Sequence, residues 1–190
     1  MFNFIIFGPP GSGKGTQSVQ IAEKYNLAHI STGEIFRKNI REKTELGIKV
    51  QSIIESGELV PDELLVAILE DAMDSRNGVS GFVFDGFPRT IQQAKDLEVC
   101  LKKRNDAVSM VLALEVNDEE IVERLLKRAQ DQGRKDDTRE VIENRILVYN
   151  NQTQPLCSYY KDQELLISIN GIGSIDEIFN KICELINARI

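Results

Sequence analysis

The chain has 190 residues, of which 42% are hydrophobic and 28% are charged, and its formal net charge is −7. These values predict one soluble globular domain that does not bind nucleic acid polymers, because such binding needs an extended basic surface. A local group of arginines can still bind a small anion in an acidic protein. No run approaches the roughly 18 apolar residues of a membrane span. Three separated cysteines, Cys100, Cys157 and Cys183, predict free thiols in a reducing, cytoplasmic compartment.

Short apolar runs alternate with amphipathic segments along the chain. Strands are predicted at residues 2–7, 28–31, 82–84, 110–116 and 165–169. A helical segment follows each of them, which predicts an α/β fold with a parallel sheet covered on both faces. From Thr32 to about Met73, three helical segments follow one another without a strand. This region predicts an insertion on one side of the sheet, where binding sites are often found.

The first predicted strand leads into the sequence GPPGSGKGTQ, residues 8–17. The phosphate-binding P-loop pattern G-x-x-x-x-G-K-[ST] is met at Gly8, Gly13 and Lys14. Gly15 stands where that pattern has a hydroxyl, and Thr16 comes one place later. The segment follows a strand and begins a helix, the context in which backbone N–H groups bind phosphate oxygens. We therefore predict a phosphate-binding loop rather than an ordinary glycine-rich turn, with Lys14 near the terminal phosphates.

A second motif, GFVFDGFPRT, places Asp85 at the end of a predicted strand. Ligands bind at strand ends in doubly wound sheets, and a carboxylate beside a P-loop can hold Mg²⁺ directly or through water. The alternative for Asp85 is that it caps the following turn. Gly86 permits close approach of the backbone, Pro88 fixes a turn, and Arg89 supplies the planar fork that suits phosphate. These neighbours favour a ligand site over a cap.

Arginines recur in the segment from residue 119 to residue 149. The members of interest are Arg124, Arg128, Arg134 and Arg145. Arg145 lies within an apolar stripe, where an unpaired charge is costly. For Arg145 alone, pairing with a nearby acid such as Asp136 or Asp137 is an equally good interpretation. Four arginines together in an acidic protein favour a site for several phosphates.

The segment ISTGEIFR begins a predicted helix at Ser31, with Glu34 as the partner of a capping box. Thr32, Gly33 and Arg37 then lie in the first turns of that helix, facing the end of the strand. The prediction for this segment is a helix N-terminus that contributes to the same site.

His29 is the only histidine, and we predict that it packs on the second strand. No acid–base pair is evident elsewhere in the sequence. A kinase that acts on a phosphate does not need a base, because the nucleophile is already an anion.

The motifs GPPGSGKGT, STGEIFR, SGELVPDELL, DGFPRT and R…R…RKDD…R resemble, in order and spacing, those of the nucleoside monophosphate kinase family. The resemblance runs from about Phe4 to the C-terminal helix, and it is strongest to the adenylate kinases with a short lid. It implies a P-loop three-layer α/β fold with a five-stranded parallel sheet in one domain, residues 1–190. It also implies an inserted helical segment that binds the nucleoside monophosphate (the NMP-binding segment, about 31–60) and a short lid (about 128–134).

The resemblance implies the reaction Mg·ATP + AMP ⇌ 2 ADP, with Mg²⁺ as cofactor, and the short lid predicts no structural zinc. We expect a monomer, because no exposed apolar stripe in the sequence indicates a partner. A UMP/CMP kinase is the nearest alternative, and a P-loop nucleotide-binding switch is a further one. Thr32 and Thr90 favour AMP, because the related UMP/CMP kinases tend to have Ala and Asn there.

The resemblance also implies roles for individual residues. Those expected to bind ATP are Gly11, Ser12, Gly13, Lys14, Gly15, Thr16, Arg124, Arg128 and Gly173. Those expected to bind AMP are Thr32, Gly33, Arg37, Glu58, Leu59, Val60, Gly86, Phe87, Pro88, Arg89, Gln93, Arg134 and Arg145. Those expected to be catalytic are Lys14, Arg89, Arg124, Arg128, Arg134 and Arg145. Asp85 is expected to hold Mg²⁺ through water.

Overall fold

A computed structural model describes residues 1–134 and 137–190, in which strands and helices alternate as the sequence predicts. The strands are β1 (Phe2–Phe7), β2 (Ala28–Ser31), β3 (Gly81–Asp85), β4 (Met110–Glu115) and β5 (Leu166–Asn170). The helices are α1 (Lys14–Tyr25), α2 (Thr32–Arg41), α3 (Glu45–Ser56), α4 (Asp62–Asp74), α5 (Ile91–Lys102), α6 (Asp118–Gln132), α7 (Arg139–Val148), α8 (Pro155–Lys161) and α9 (Ile175–Asn187). A π-helix, Tyr149–Thr153, joins α7 to α8 and was not predicted from the sequence.

The five strands form one parallel sheet in the order β2-β3-β1-β4-β5. This arrangement confirms the predicted α/β fold. β1 lies between β3 and β4, so the chain moves first to one side of β1 and later to the other. In sheets of this kind, ligands bind at the carboxyl ends of the strands beside such a switch point.

Both faces of the sheet are buried, and β1 shows how its sequence permits this. Ile5 and Phe7 pack on the side of α2, α4 and α5, whereas Phe4 and Ile6 pack on the side of α1 and α9. Successive side chains of a strand point to opposite faces, so a strand covered on both faces is apolar throughout.

The insertion after β2 consists of α2, α3 and α4, as the sequence predicts. The Ser31 hydroxyl caps α2 by accepting a hydrogen bond from the Glu34 N–H. Gly47 is buried where α3 meets the end of α2, and a Cβ there would overlap the Asn39 carbonyl. The close contact of these two helices therefore depends on glycine.

Several details differ from the sequence predictions. β4 ends at Glu115, one residue before its predicted end, and β5 spans Leu166–Asn170 instead of residues 165–169. The Ser31 hydroxyl caps α2 as predicted, while the complete reciprocal capping box is found at Ser174 of α9. Such differences of one residue arise at element ends, where the pattern of apolar residues is weakest. In the described part of the chain, no helix is long and apolar enough to cross a membrane.

Candidate active site

The segment between β1 and α1 forms a tight loop at the switch point of the sheet. Gly11 and Gly13 have φ values of +80° and +89°, which lie in the left-handed region that favours glycine. The Ser12 N–H donates to the Pro9 carbonyl at 3.1 Å, and the Lys14 ammonium donates to the same carbonyl at 3.2 Å. The loop thus brings the N-terminus of α1, with its positive end, to the carboxyl edge of the sheet.

A large cleft of about 750 Å³ opens at this edge. The predicted site residues that line it are Gly11, Gly13, Lys14, Gly15, Thr16, Gly33, Arg37, Glu58, Leu59, Asp85, Gly86, Pro88, Arg89, Arg124, Arg128, Arg134 and Arg145. The structure therefore brings the P-loop, the strand-end motif, the insertion and the predicted arginines together around one space.

A smaller pocket adjoins the cleft, and we call it the side pocket. The predicted residues that line it are Thr32, Gly33, Glu58, Leu59, Val60, Gly86, Arg89 and Gln93. Phe36, Ile54 and Leu65 add apolar surface to it. The pocket has a volume of about 30 Å³ and combines apolar side chains with polar ones, so it extends the cleft but is too small to hold a nucleotide by itself.

Three predicted site residues line neither space. The Ser12 side chain is buried, and the Phe87 side chain lies in the hydrophobic core, so Phe87 can offer only its backbone to a ligand. Gly173 lies before α9, with φ +140°. Ile175, the first residue of α9, does line the cleft.

Asp85 ends β3 as predicted, and it is 8% exposed. Burial raises its pKa, but the approach of the His29 imidazole and the positive charges of Lys14 and Arg89 outweigh burial. The net pKa of Asp85 is therefore below its ordinary value, and the carboxyl is ionised at neutral pH. This carboxylate supplies fixed negative charge beside the P-loop.

His29 does more than pack on β2, which was its predicted role. Its Nε2 lies 3.6 Å from Oδ2 of Asp85, too long for a hydrogen bond, and that nitrogen has no hydrogen-bond partner among the described residues. Pairing of β2 with β3 sets His29 opposite Val83, two residues before Asp85. The sheet register, which the sequence does not show, brings the imidazole to the site.

The residues around Asp85 fit a magnesium ion that is bound mainly through substrate oxygens and water. Mg²⁺ commonly takes one or two protein carboxylates together with phosphate oxygens and waters. A Cβ at Gly15 would lie 3.5 Å from Oδ2 of Asp85, so the glycine leaves space beside the carboxylate. Among the described residues, no group of three or more His, Cys, Asp and Glu side chains could hold a metal ion.

Arg89 is held in a fixed position at the end of β3. Its Nε–H donates to the Gly86 carbonyl at 2.7 Å, and its own carbonyl accepts from the Thr153 hydroxyl at 2.9 Å. Burial lowers its pKa, while Asp85 opposes that shift and the charges of Arg145 and Arg37 add to it. Burial is the largest cause of the lowered pKa of Arg89, and the smaller effects of Arg145 and Arg37 show that these cations lie near it, where an anion would stabilise all three.

Arg145 and Arg128 share one carboxylate. Asp137 has a fully buried side chain, accepts two hydrogen bonds from Arg128 and accepts a third from Arg145 at 2.8 Å. The pairing of Arg145 with Asp137 that the sequence offered is therefore present, and Arg145 lines the cleft as well. Asp136, the other acid considered for this pairing, lies outside the described residues.

Arg124 and Arg134 are placed on the same side of the cleft by α6. Arg124 donates to Glu120 at 2.6 Å and to the Gly171 carbonyl at 3.2 Å. Arg134 follows Gly133, the left-handed C-cap of α6, and donates to Gln132 at 3.0 Å. Arg124 within α6 and Arg134 just after it therefore both line the cleft.

Sequence reasoning missed a link between α7 and the inserted helices. Asn144 donates to the Ser56 carbonyl at 2.8 Å and to the Glu58 carboxylate at 3.1 Å. Nothing in the local sequence of Asn144 indicates a partner so far along the chain. The hydrogen bond from Thr153 to the Arg89 carbonyl was also missed. The π-helix that positions Thr153 has no signature in the sequence.

Taken with the sheet order, this arrangement defines a P-loop protein that handles nucleoside phosphates. Comparison with known proteins narrows the class. A sequence model of the adenylate kinase family matches residues 6–165. The adenylate kinase of Bacteroides fragilis is 49% identical over 187 residues, which cover 98% of this chain and 99% of that protein.

Other adenylate kinases are similar to the chain over nearly its whole length. The adenylate kinase of Parabacteroides distasonis is 49% identical over 187 residues, or 98% of each chain. That of Leptospira biflexa is 45% identical over 186 residues, or 98% of this chain and all of that protein. The chain belongs to the adenylate kinase family. The alternatives of a UMP/CMP kinase and a nucleotide-binding switch are not favoured.

Proposed function

We propose that the chain catalyses the reversible transfer of the terminal phosphoryl group of Mg·ATP to AMP, giving two ADP. Membership of the adenylate kinase family makes it an ATP:AMP phosphotransferase. The observation that supports this reaction in the chain itself is the shared cleft. Lys14 lies at its P-loop wall, and Arg89, Arg128 and Arg145 are close enough to lower the pKa of Lys14. One space thus offers positive charge to two sets of phosphates.

In this proposal, the phosphates of ATP lie on the P-loop. The backbone N–H groups at the N-terminus of α1 and the Lys14 ammonium would bind them, since a helix N-terminus carries positive potential. The remaining ATP residues are those already assigned to it: Gly11, Ser12, Gly13, Gly15, Thr16, Arg124, Arg128 and Gly173. The support for this side is the loop geometry, with its two glycines at positive φ.

AMP is proposed to lie with its base in the side pocket and its phosphate in the cleft. Arg37 and Arg89 would bind the phosphate, and Thr32, Val60 and Gln93 would contact the base or the ribose. Arg134 and Arg145 approach from the opposite wall. This placement directs the AMP phosphate toward the end of the ATP phosphates, so that an in-line transfer is possible.

The reaction needs alignment and charge neutralisation rather than a general base. The attacking oxygen of AMP already belongs to an anion, so no proton has to be removed before it reacts. Lys14, Arg89, Arg124, Arg128, Arg134 and Arg145 would neutralise the charge of the transferred group. Mg²⁺ near Asp85 would withdraw charge from the ATP phosphates when it is bound.

The NMP-binding segment (31–60) and the lid (128–134) are proposed to close over the substrates and exclude water, which limits hydrolysis of ATP. The link from Asn144 to Ser56 and Glu58 supports this, because it ties the α7 side of the cleft to the NMP-binding segment. We also propose that the protein is monomeric and cytoplasmic.

A substrate panel tests the proposed reaction. Formation of nucleoside diphosphate from Mg·ATP is measured with AMP, CMP, UMP and GMP, and AMP is expected to give the highest kcat/KM. A higher value for CMP or UMP would overturn the assignment to AMP. Calorimetry with two adenosines joined by five phosphates tests the two-site cleft, and binding no tighter than that of ATP alone would contradict it.

A further inference from the structure

The side-chain amide of Gln93 is fixed at both ends. Its Oε1 accepts a hydrogen bond from the Arg89 N–H at 2.7 Å, and its Nε2 donates to Oδ1 of Asp62 at 2.6 Å. Gln93 is 1% exposed and lies in the first turn of α5, while Asp62 begins α4. A backbone N–H can only donate and an ionised carboxylate can only accept, so these partners determine which end of the amide carries nitrogen.

The same amide lines the side pocket together with the apolar side chains of Phe36, Ile54 and Leu65. The volume of this pocket is about 30 Å³, so a purine base that enters it would lie partly in the adjoining cleft. The hydrogen bonds made by the described residues use one of the two Nε2 hydrogens of Gln93. The second hydrogen is the donor that this amide can offer to a ligand.

We propose that Asp62 is a positioning residue that sets the choice of purine: by holding Nε2 of Gln93, it makes the amide present an N–H donor to the base. The inference rests on the proposed function, in which the base of AMP occupies the side pocket. Asp62 acts only through Gln93 and does not touch the substrate.

The chemistry of the purine edge gives the direction of the preference. In this proposal, N1 of the base, and not the group on C6, lies against the Gln93 N–H. N1 of adenine accepts that hydrogen, whereas N1 of hypoxanthine carries a hydrogen of its own and opposes it. IMP has the same ribose and phosphate as AMP and differs only at this edge of the base. A buried donor that meets another donor loses its hydrogen bond, which penalises the wrong base.

The test compares AMP with IMP as acceptors of the phosphoryl group, using Asp62→Leu, Asp62→Ala and Asp62→Asn. Loss of a hydrogen bond to a charged group corresponds to about a tenfold effect or more. We expect the AMP/IMP ratio of kcat/KM to fall about tenfold in the leucine and alanine variants, mainly through a higher KM for AMP. The KM for ATP should change less than about twofold, because Asp62 does not line the cleft that contains the P-loop.

Asp62→Asn keeps an acceptor oxygen at the same place and is expected to retain most of the AMP/IMP ratio. Glu63→Gln is the matched control, since it removes the next carboxylate from the first turn of α4 at an exposed position. It should leave both the ratio and the KM for AMP unchanged. Melting temperatures of all variants separate loss of folding from loss of discrimination, and the alanine variant remains if the leucine variant does not fold.

An AMP/IMP ratio that is unchanged in the folded variants lacking the carboxylate would overturn the inference. A fall in the ratio of Asp62→Asn as large as that of Asp62→Leu would also count against it. Failure of the proposed function is distinguishable, because it would appear as a wild-type protein that forms no ADP from ATP and AMP.

Discussion

Arg128 and Asp137 form a two-bonded ion pair across the turn between α6 and α7. Nε of Arg128 lies 2.7 Å from Oδ2 of Asp137, and a terminal guanidinium nitrogen lies 2.8 Å from Oδ1. The Asp137 side chain is 0% exposed, and Oδ1 also accepts from Arg145. One buried carboxylate thus holds two guanidinium groups together at the wall of the cleft. It reduces the repulsion that would otherwise separate them before phosphate binds.

Replacing this carboxylate should cost both stability and activity. We expect Asp137→Asn to lower the free energy of unfolding by about 3 kcal/mol, because it removes the buried negative charge that Arg128 and Arg145 share. The value kcat/KM should fall with it, since Arg128 and Arg145 lose their fixed positions. Urea unfolding and steady-state kinetics at neutral pH measure the two effects.

Glu140→Gln is the control for Asp137→Asn, because it removes an exposed carboxylate from the first turn of α7. Its effect on unfolding should stay within about 0.5 kcal/mol. Equal stability of the Asp137 and Glu140 variants would show that the buried pair does not stabilise the fold.

The activity should depend on the planar guanidinium group of Arg89 and not only on its positive charge. Arg89→Lys keeps a positive charge, but it removes the Nε–H that donates to the Gly86 carbonyl and the paired N–H groups that suit phosphate. We expect kcat/KM for AMP to fall about 10²–10³-fold, the range observed when one fixed donor to a transition state is lost. Arg139→Lys, at a side chain that is 77% exposed, should be neutral. Near wild-type turnover of Arg89→Lys would contradict the proposed role of the Arg89 guanidinium in binding phosphate.

The sequence was sufficient for the fold and for the carboxyl edge of the sheet. β1 and the P-loop are contiguous, so the pattern of Gly8, Gly13 and Lys14 predicts their position directly. Asp85 could be placed because strand ends of a parallel sheet meet at one edge. These features depend on local sequence and on general rules of topology, which a single sequence contains.

Contacts between distant elements could not be predicted in the same way. Asp62 and Gln93 are 31 residues apart and meet only because α4 packs on α5. The sequence could suggest that Arg145 pairs with a nearby acid, but not that Asp137 turns inward and also binds Arg128. Partner choice depends on burial and side-chain direction, which helical spacing alone does not determine.

Gly47 should be required for the packing of α2 against α3. A methyl group there would overlap the Asn39 carbonyl, so Gly47→Ala must separate α2 from α3. We expect this variant to lose about 2–3 kcal/mol of unfolding free energy, as overpacked sites do. Ser52→Ala is the control, because it places an alanine on the exposed face of α3, and it should be neutral or slightly stabilising. Unfolding of both variants in urea provides the comparison, and equal midpoints would contradict the packing argument.

Gly15→Ala should change stability and activity in opposite directions. Gly15 lies in the first turn of α1, where alanine is favoured over glycine by about 0.5–1 kcal/mol, so the variant should unfold at slightly higher urea. The new methyl group would lie 3.5 Å from Oδ2 of Asp85 and occupy the space proposed for water around Mg²⁺. We therefore expect lower kcat/KM for ATP and a higher Mg²⁺ concentration at half-maximal rate. A fully active variant would place the metal elsewhere.

The Lys14 ammonium carries the clearest pH dependence of the site. The pKa of Lys14 is lowered to about 8. Burial is the largest cause, Asp85 opposes it, and the charges of Arg89, Arg128 and Arg145 contribute further lowering. Phosphates of a bound nucleotide would favour the charged form and raise the pKa again. Below a pH of about 8, Lys14 is therefore protonated with and without nucleotide, whereas above it only the complex keeps the proton.

Binding of Mg·ATP should accordingly take up a proton in alkaline solution. We expect close to one proton per nucleotide at about pH 9 and little uptake at about pH 7, with the association constant falling as the pH rises above about 8. Calorimetry in two buffers of different ionisation enthalpy measures the uptake. Lys14→Met should abolish it at the alkaline pH, because no other group at the P-loop has a pKa lowered to this range. Uptake that persists in Lys14→Met would assign the proton to another residue.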